Sequence, residues 1–132
     1  REPRGAIDAV LSAQSLPVRV IATHLGLRVS ERRHQIARLV EAVTRKDFPL
    51  MILMGDINEW FPAVRGLGPL NRVLGKSPAT RSFPSRLPVL ALDRIWVKPG
   101  NALGRIRAHK TPLSRRASDP LPVVAEIIYP PR

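Results

Sequence analysis

Residues 50–59 read Leu50-Met51-Ile52-Leu53-Met54-Gly55-Asp56-Ile57-Asn58-Glu59, five apolar side chains that stop at a glycine and give way to acid and amide groups. An apolar run of strand length without polar alternation belongs to a strand covered on both faces, inside a sheet rather than at its edge. Polar residues that begin where such a run stops stand at the strand's end, the usual place for functional groups in layered α/β folds.

The flanks extend this pattern in both directions. Ahead of the run, Ile36, Leu39, Val40 and Val43 recur at helical spacing, with Ser30 placed to cap the helix and Glu31 in its first turn. Earlier still, Gly5–Ser12 (GAIDAVLS) and Pro17–Thr23 (PVRVIAT) predict two strands joined by the hairpin loop Ala13-Gln14-Ser15-Leu16, the second ending in Thr23-His24-Leu25-Gly26. A β–α–β order results. Beyond it, residues 61–87 predict a long connection with a short helix near Leu67–Leu74, closing in Ser82-Phe83-Pro84-Ser85. Leu90–Val97 (LALDRIWV) predicts a strand with Asp93 among apolar neighbours, residues 103–117 carry the densest basic stretch, and Leu121–Tyr129 predicts the last strand.

At 132 residues and 14.7 kDa, one domain or part of one is expected. The 44% hydrophobic and 24% charged content exclude a disordered chain, and the absence of cysteine excludes disulfides, thiolate-bound metals and a cysteine nucleophile. Lys and Arg outnumber Asp and Glu 22 to 10, giving +12, a balance that favours a polyanionic partner such as nucleic acid. The charges are scattered, and 18 Arg against 4 Lys is also what a GC-rich gene produces. No apolar run approaches the ~18 residues of a membrane span. The chain starts at Arg1 without a leader, so any targeting segment is expected outside it, and localisation stays open.

Five local patterns occur in order: Thr23-His24-Leu25, Gly55-Asp56-Ile57-Asn58, Ser82-Phe83-Pro84, Leu92-Asp93-Arg94-Ile95, and Ala117-Ser118-Asp119-Pro120-Leu121-Pro122. Glu31-Arg32-Arg33-His34-Gln35 opens the intervening helix. The series resembles the endonuclease/exonuclease/phosphatase superfamily, metal-dependent phosphoesterases that include pancreatic deoxyribonuclease, apurinic endonucleases and sphingomyelinases. The resemblance implies a four-layer α/β sandwich in which two sheets pack face to face between helices. It also implies that residues 1–132 are the C-terminal portion of a single such domain. The N-terminal half, with a strand-end asparagine and a metal-binding glutamate, would then lie outside the chain. The inner sheet face is expected to be bare and open to self-association.

Hydrolysing a phosphodiester requires a water in line with phosphorus and neutralisation of charge on the phosphate oxygens. By the resemblance, Asp56 orients and deprotonates that water, Asn58 holds a phosphate oxygen, and Asp119 ligates Mg²⁺ or Mn²⁺ through oxygen. His24 donates to the phosphate or leaving group, and Asp93 orients a second histidine. Trp60 is expected to pack or to stack on substrate, and Ser82 and Arg94 to touch phosphate or tie loops. The departure from the family is Pro120, which stands where that second histidine belongs; losing such a group costs ~10²–10⁴-fold in rate. Asp93, left without it, is expected to titrate upward or to take another donor such as Arg94. The expected function is Mg²⁺-dependent hydrolysis of phosphodiester bonds, endonuclease-like because the charge suits a phosphate backbone, with this chain impaired or inactive alone. The alternatives are a phosphodiesterase for lipid or small-molecule substrates, and a non-catalytic module that binds phosphate or nucleic acid.

Overall fold

The computed structural model describes residues 3–61 and 65–130. Strands β1 (Ala6–Ala13) and β2 (Leu16–His24) form an antiparallel hairpin in which Ala13 pairs with Leu16. The turn is therefore only Gln14-Ser15, with φ of 50° and 67°, rather than the expected four-residue loop. Two consecutive left-handed residues twist with the strands, so pairing continues to the turn. Helix α1 (Val29–Thr44) follows and buries Ile36, Leu39 and Val43. Its first hydrogen bond runs from Arg32 N–H to the Arg28 carbonyl at 2.9 Å, so Ser30 lies inside the first turn instead of capping it.

Strand β3 (Leu50–Asp56) is interior, parallel to β2 and antiparallel to β4 (Asp93–Lys98), in a sheet ordered β1-β2-β3-β4. Near its end Gly55 has φ of 151°, and a side chain there would run into the Thr23 carbonyl of β2. Only glycine lets the two strands approach this closely and still carry Asp56 forward. β4 begins at Asp93, not at Leu90, because Leu90 bridges to Phe83 within the preceding loop.

One face of the sheet, through Ile21, Met51, Leu53 and Trp96, packs on α1 and on Leu70 and Leu74 of α2 (Gly68–Leu74). The other face, through Val18, Leu50, Ile95 and Val97, packs on a two-stranded sheet of β5 (Leu103–Ala108) and β6 (Val123–Ile127). The inner face is thus partly covered, which corrects the expectation of a bare one. The covering strand β5 lies in the basic stretch. There Ile106 and Ala108 point inward while Arg105 and Arg107 point to solvent, a period of two masked by charge. Between β5 and β6, α3 (Pro112–Ala117) was also unexpected; it starts with proline behind a reciprocal Thr111–Ser114 cap. Uncovered on the inner face are Ile7 and Leu11 of β1, beside a groove of about 660 Å³ between that face and Ile127 and Tyr129. No helix among the described residues is long and apolar enough to cross a membrane.

Candidate active site

Strand register assembles the centre. The β2–β3 ladder pairs His24 with Asp56, and the β3–β4 ladder pairs Asp56 with Asp93. Three chemistry-bearing side chains from distant parts of the sequence therefore lie side by side on the inner face, at one end of the sheet. His24 Nε2 is 3.5 Å from Asp56 Oδ2. Asp56 Oδ1 accepts from the Asn58 backbone N–H at 3.0 Å, an Asx turn that leaves Oδ2 facing the imidazole. Arg4 adds a guanidinium, its Nη1 2.6 Å from His24 Nε2 and 2.8 Å from Nδ1. No motif marked Arg4; the hairpin brings it there, since Thr23 Oγ1 donates to the Gly5 carbonyl at 3.1 Å.

Asn58 is buried in the left-handed conformation, with φ of 54°, and its side-chain amide donates to the Leu25 carbonyl at 2.7 Å. Leu25 N–H in turn donates to the Asp56 carbonyl at 2.9 Å, so Asn58 locks together the loops that follow β2 and β3. Asp93 Oδ2 accepts from Ser82 Oγ at 2.8 Å. Burial is the main cause that holds its carboxyl above the ordinary aspartate value; Asp56 adds to the rise, while the Ser82 hydrogen bond and His24 oppose it. The donor is Ser82 and not Arg94. Ser82 is wholly buried, and its carbonyl accepts from Leu121 N–H at 2.8 Å, which ties the segment just after Pro120 to the residue holding Asp93.

Arg94 follows Asp93 along β4 and so points to the opposite face of the sheet. It is buried there, Nη1 donating to the Ser77 carbonyl at 3.2 Å and Nε without a partner. Burial lowers its pKa and the nearby Glu59 carboxylate works against that shift. Glu59 is itself buried, 3.8 Å from Arg32 of α1, and a side chain at Gly66 would strike its carboxylate. This buried ion cluster under the Asp56–Asn58 loop has no local sequence signal, since its members come from α1, the β3 end and β4. Trp60 is part-exposed and packs edge-on against Phe83, centroids 5.5 Å apart. Asp119 is exposed, with Oδ1 accepting from Ser85 N–H at 3.0 Å. Among the described residues no three His, Asp, Glu or Cys side chains converge to enclose a cation. The fold therefore gathers His24, Asp56, Asn58, Asp93 and Ser82, keeps Asp119 on the Ser85 loop, and turns Arg94 away.

No family model matches the sequence. It is 35% identical over 120 residues to the uncharacterized protein YbhP of Escherichia coli K12, covering 83% of this chain and 46% of that protein. The chain thus spans about half the length of the curated relatives it matches. Sphingomyelinase C from Streptomyces griseocarneus superposes with a TM-score of 0.61 at 19% identity, over 82% of this chain and 48% of its own. A beta toxin mutant from Staphylococcus aureus with bound magnesium ions gives 0.60 at 14% identity, over 82% and 48%. TDP2 from D. rerio, complexed with a single-strand DNA product, gives 0.52 at 14% identity, over 80% and 51%. The fold is that of the endonuclease/exonuclease/phosphatase superfamily. That fold is matched over most of this chain and about half of each structure.

Proposed function

We propose that this chain carries the water-activating side of a phosphodiesterase centre, and the observation that supports it is the His24–Asp56–Asp93 row set by strand register. Asp56, anchored through Oδ1, takes the proton of the attacking water at Oδ2. His24, braced by Arg4, donates to a phosphate oxygen or to the leaving oxygen. Asp93, held by the Ser82 hydroxyl, sets the far end of the row. Asn58 presents Asp56 by locking its loop; holding a phosphate oxygen as well requires its amide to leave the Leu25 carbonyl.

A bound Mg²⁺ or Mn²⁺ would neutralise charge on the phosphate as a Lewis acid. Asp119 is the ligand this chain offers, but one exposed carboxylate falls short of the oxygen set such an ion requires, so the fit is incomplete and no step depends on it here. Residues 1–132 would then be the C-terminal portion of a larger domain that completes the set. The +12 charge supports a nucleic-acid backbone as substrate, with lipid or small phosphodiesters as alternatives on the same core. Trp60, part-exposed just after the Asp56–Asn58 loop, would stack on such a substrate.

Pro120 supports a second reading, a phosphate-binding module without catalysis, because the segment tied to Asp93 through Ser82 offers no titratable group at that position. Nicking of supercoiled plasmid and hydrolysis of bis(p-nitrophenyl) phosphate, each with Mg²⁺ and with Mn²⁺, separate the two. The catalytic reading expects metal-dependent turnover that Asp56→Asn reduces by ~10²-fold or more and Pro120→His raises. Absence of turnover in the wild type and in Pro120→His alike supports the binding module or an incomplete domain.

A further inference from the structure

Away from the row, a bowl of about 580 Å³ opens between the loop at 84–87 and the end of α3. Three exposed guanidinium groups, Arg86, Arg115 and Arg116, stand around it. Its frame is fixed from both sides. Ser85 N–H donates to Asp119 Oδ1 at 3.0 Å, Ser85 Oγ donates to the Arg115 carbonyl at 3.2 Å, and Ser118 N–H closes α3 on the Ser114 carbonyl at 3.0 Å.

Among the described residues, no carboxylate or carbonyl engages any of the three guanidinium groups, although Asp8–Arg19, Glu41–Arg45 and Glu59–Arg32 pairs form elsewhere. The one carboxylate on the wall is Asp119, and one of its oxygens is already taken. Three unneutralised cations around one concavity repel one another, and an anion seated between them relieves that repulsion. Guanidinium groups suit phosphate because their planar donors meet two oxygens at once. The bowl's wall includes Asp119, the ligand that the proposed function offers to a metal ion, and two residues further on Leu121 N–H donates to the carbonyl of Ser82, the partner of Asp93. A bilayer presents a broad surface and favours protruding apolar side chains on an amphipathic face. A concave, arginine-rimmed bowl suits a narrow chain of repeated phosphates instead.

We propose that Arg86, Arg115 and Arg116 form a second phosphate subsite, which holds the backbone of a single-stranded polynucleotide beside the centre. This deepens the phosphodiesterase reading and rests on it for the placement of Asp119 at the reaction centre, but it is tested by binding and not by turnover. The probe is a short fluorescein-labelled oligothymidylate, followed by anisotropy in a salt titration. Each phosphate contact on a single strand contributes about −0.7 to the slope of log K against log salt. Replacing all three arginines (Arg86→Gln, Arg115→Gln, Arg116→Gln) should therefore reduce the slope's magnitude by about 2, with circular dichroism unchanged. A control that removes three exposed arginines elsewhere (Arg33→Gln, Arg105→Gln, Arg107→Gln) should reduce it by much less. Equal reductions would mean binding follows net charge alone and overturn the subsite. So would absence of binding at low salt, or a triple variant that loses binding to phosphatidylserine vesicles while keeping the oligonucleotide slope. A slope change in a protein that hydrolyses nothing would leave the subsite standing whichever reading of the centre holds.

Discussion

Asp93 shows at single-residue scale how burial and neighbouring charge set a pH dependence. Its carboxyl is held above 3.8, chiefly because it is buried and in part because Asp56 stands beside it. Between the unfolded value and the raised native one, the folded chain binds more protons than the unfolded chain, so stability falls as pH rises through that window. Asp8 has the opposite sign, since its hydrogen bond to Arg19 lowers its pKa. Its contribution is lost only as pH drops below 3.8, so the two windows do not overlap. Asp93→Asn keeps an acceptor for Ser82 and removes the titration. The wild type should lose more urea resistance between about pH 4 and about pH 7 than Asp93→Asn does. Equal losses in the two proteins would show that the carboxyl titrates normally.

At the scale of elements, the end of β3 is held by largely buried charges. Glu59 stands near Arg32 of α1 and Arg94 of β4, all three buried. Removing one member of a buried ion pair leaves an uncompensated charge, at a cost of about 3–5 kcal/mol. Glu59→Gln should therefore lower unfolding free energy by about 3 kcal/mol in denaturant titration; a loss under about 1 kcal/mol would mean water already solvates both guanidinium groups. This cluster also marks the limit of what the sequence discloses. β3 was legible because its apolar run is bare of polar side chains, and α1 because its apolar spacing is regular. Strand alternation alone separates Asp93 from Arg94: neighbours on a strand face opposite ways, so both cannot serve one site. The Asn58–Leu25 lock and the Arg32–Glu59 pair were not, because each joins elements whose approach only the assembled core determines. β5 was hidden by the outward arginines that make it soluble on one face.

Across the whole molecule, a four-stranded sheet is faced by only two strands, and the shortfall falls on β1. Ile7 and Leu11, 72% and 54% exposed, point to the same face as Val18 and Ala22, the residues they pair with on β2. With the adjoining groove they form a continuous apolar surface of the kind that seldom stays open on a lone molecule. The register places the His24–Asp56–Asp93 row on that same inner face, at the end of the sheet opposite the groove. A second copy that covers this face in an isologous pair would set Leu11 against Leu11. Light scattering across a concentration series should then show mass rising from 14.7 kDa towards twice that value. Ile7→Lys with Leu11→Lys should return the protein to a single chain, since a charge on each side of a symmetric contact is repeated on the other. A monomer at every concentration would leave the face uncovered in solution and remove self-association from the description of this chain.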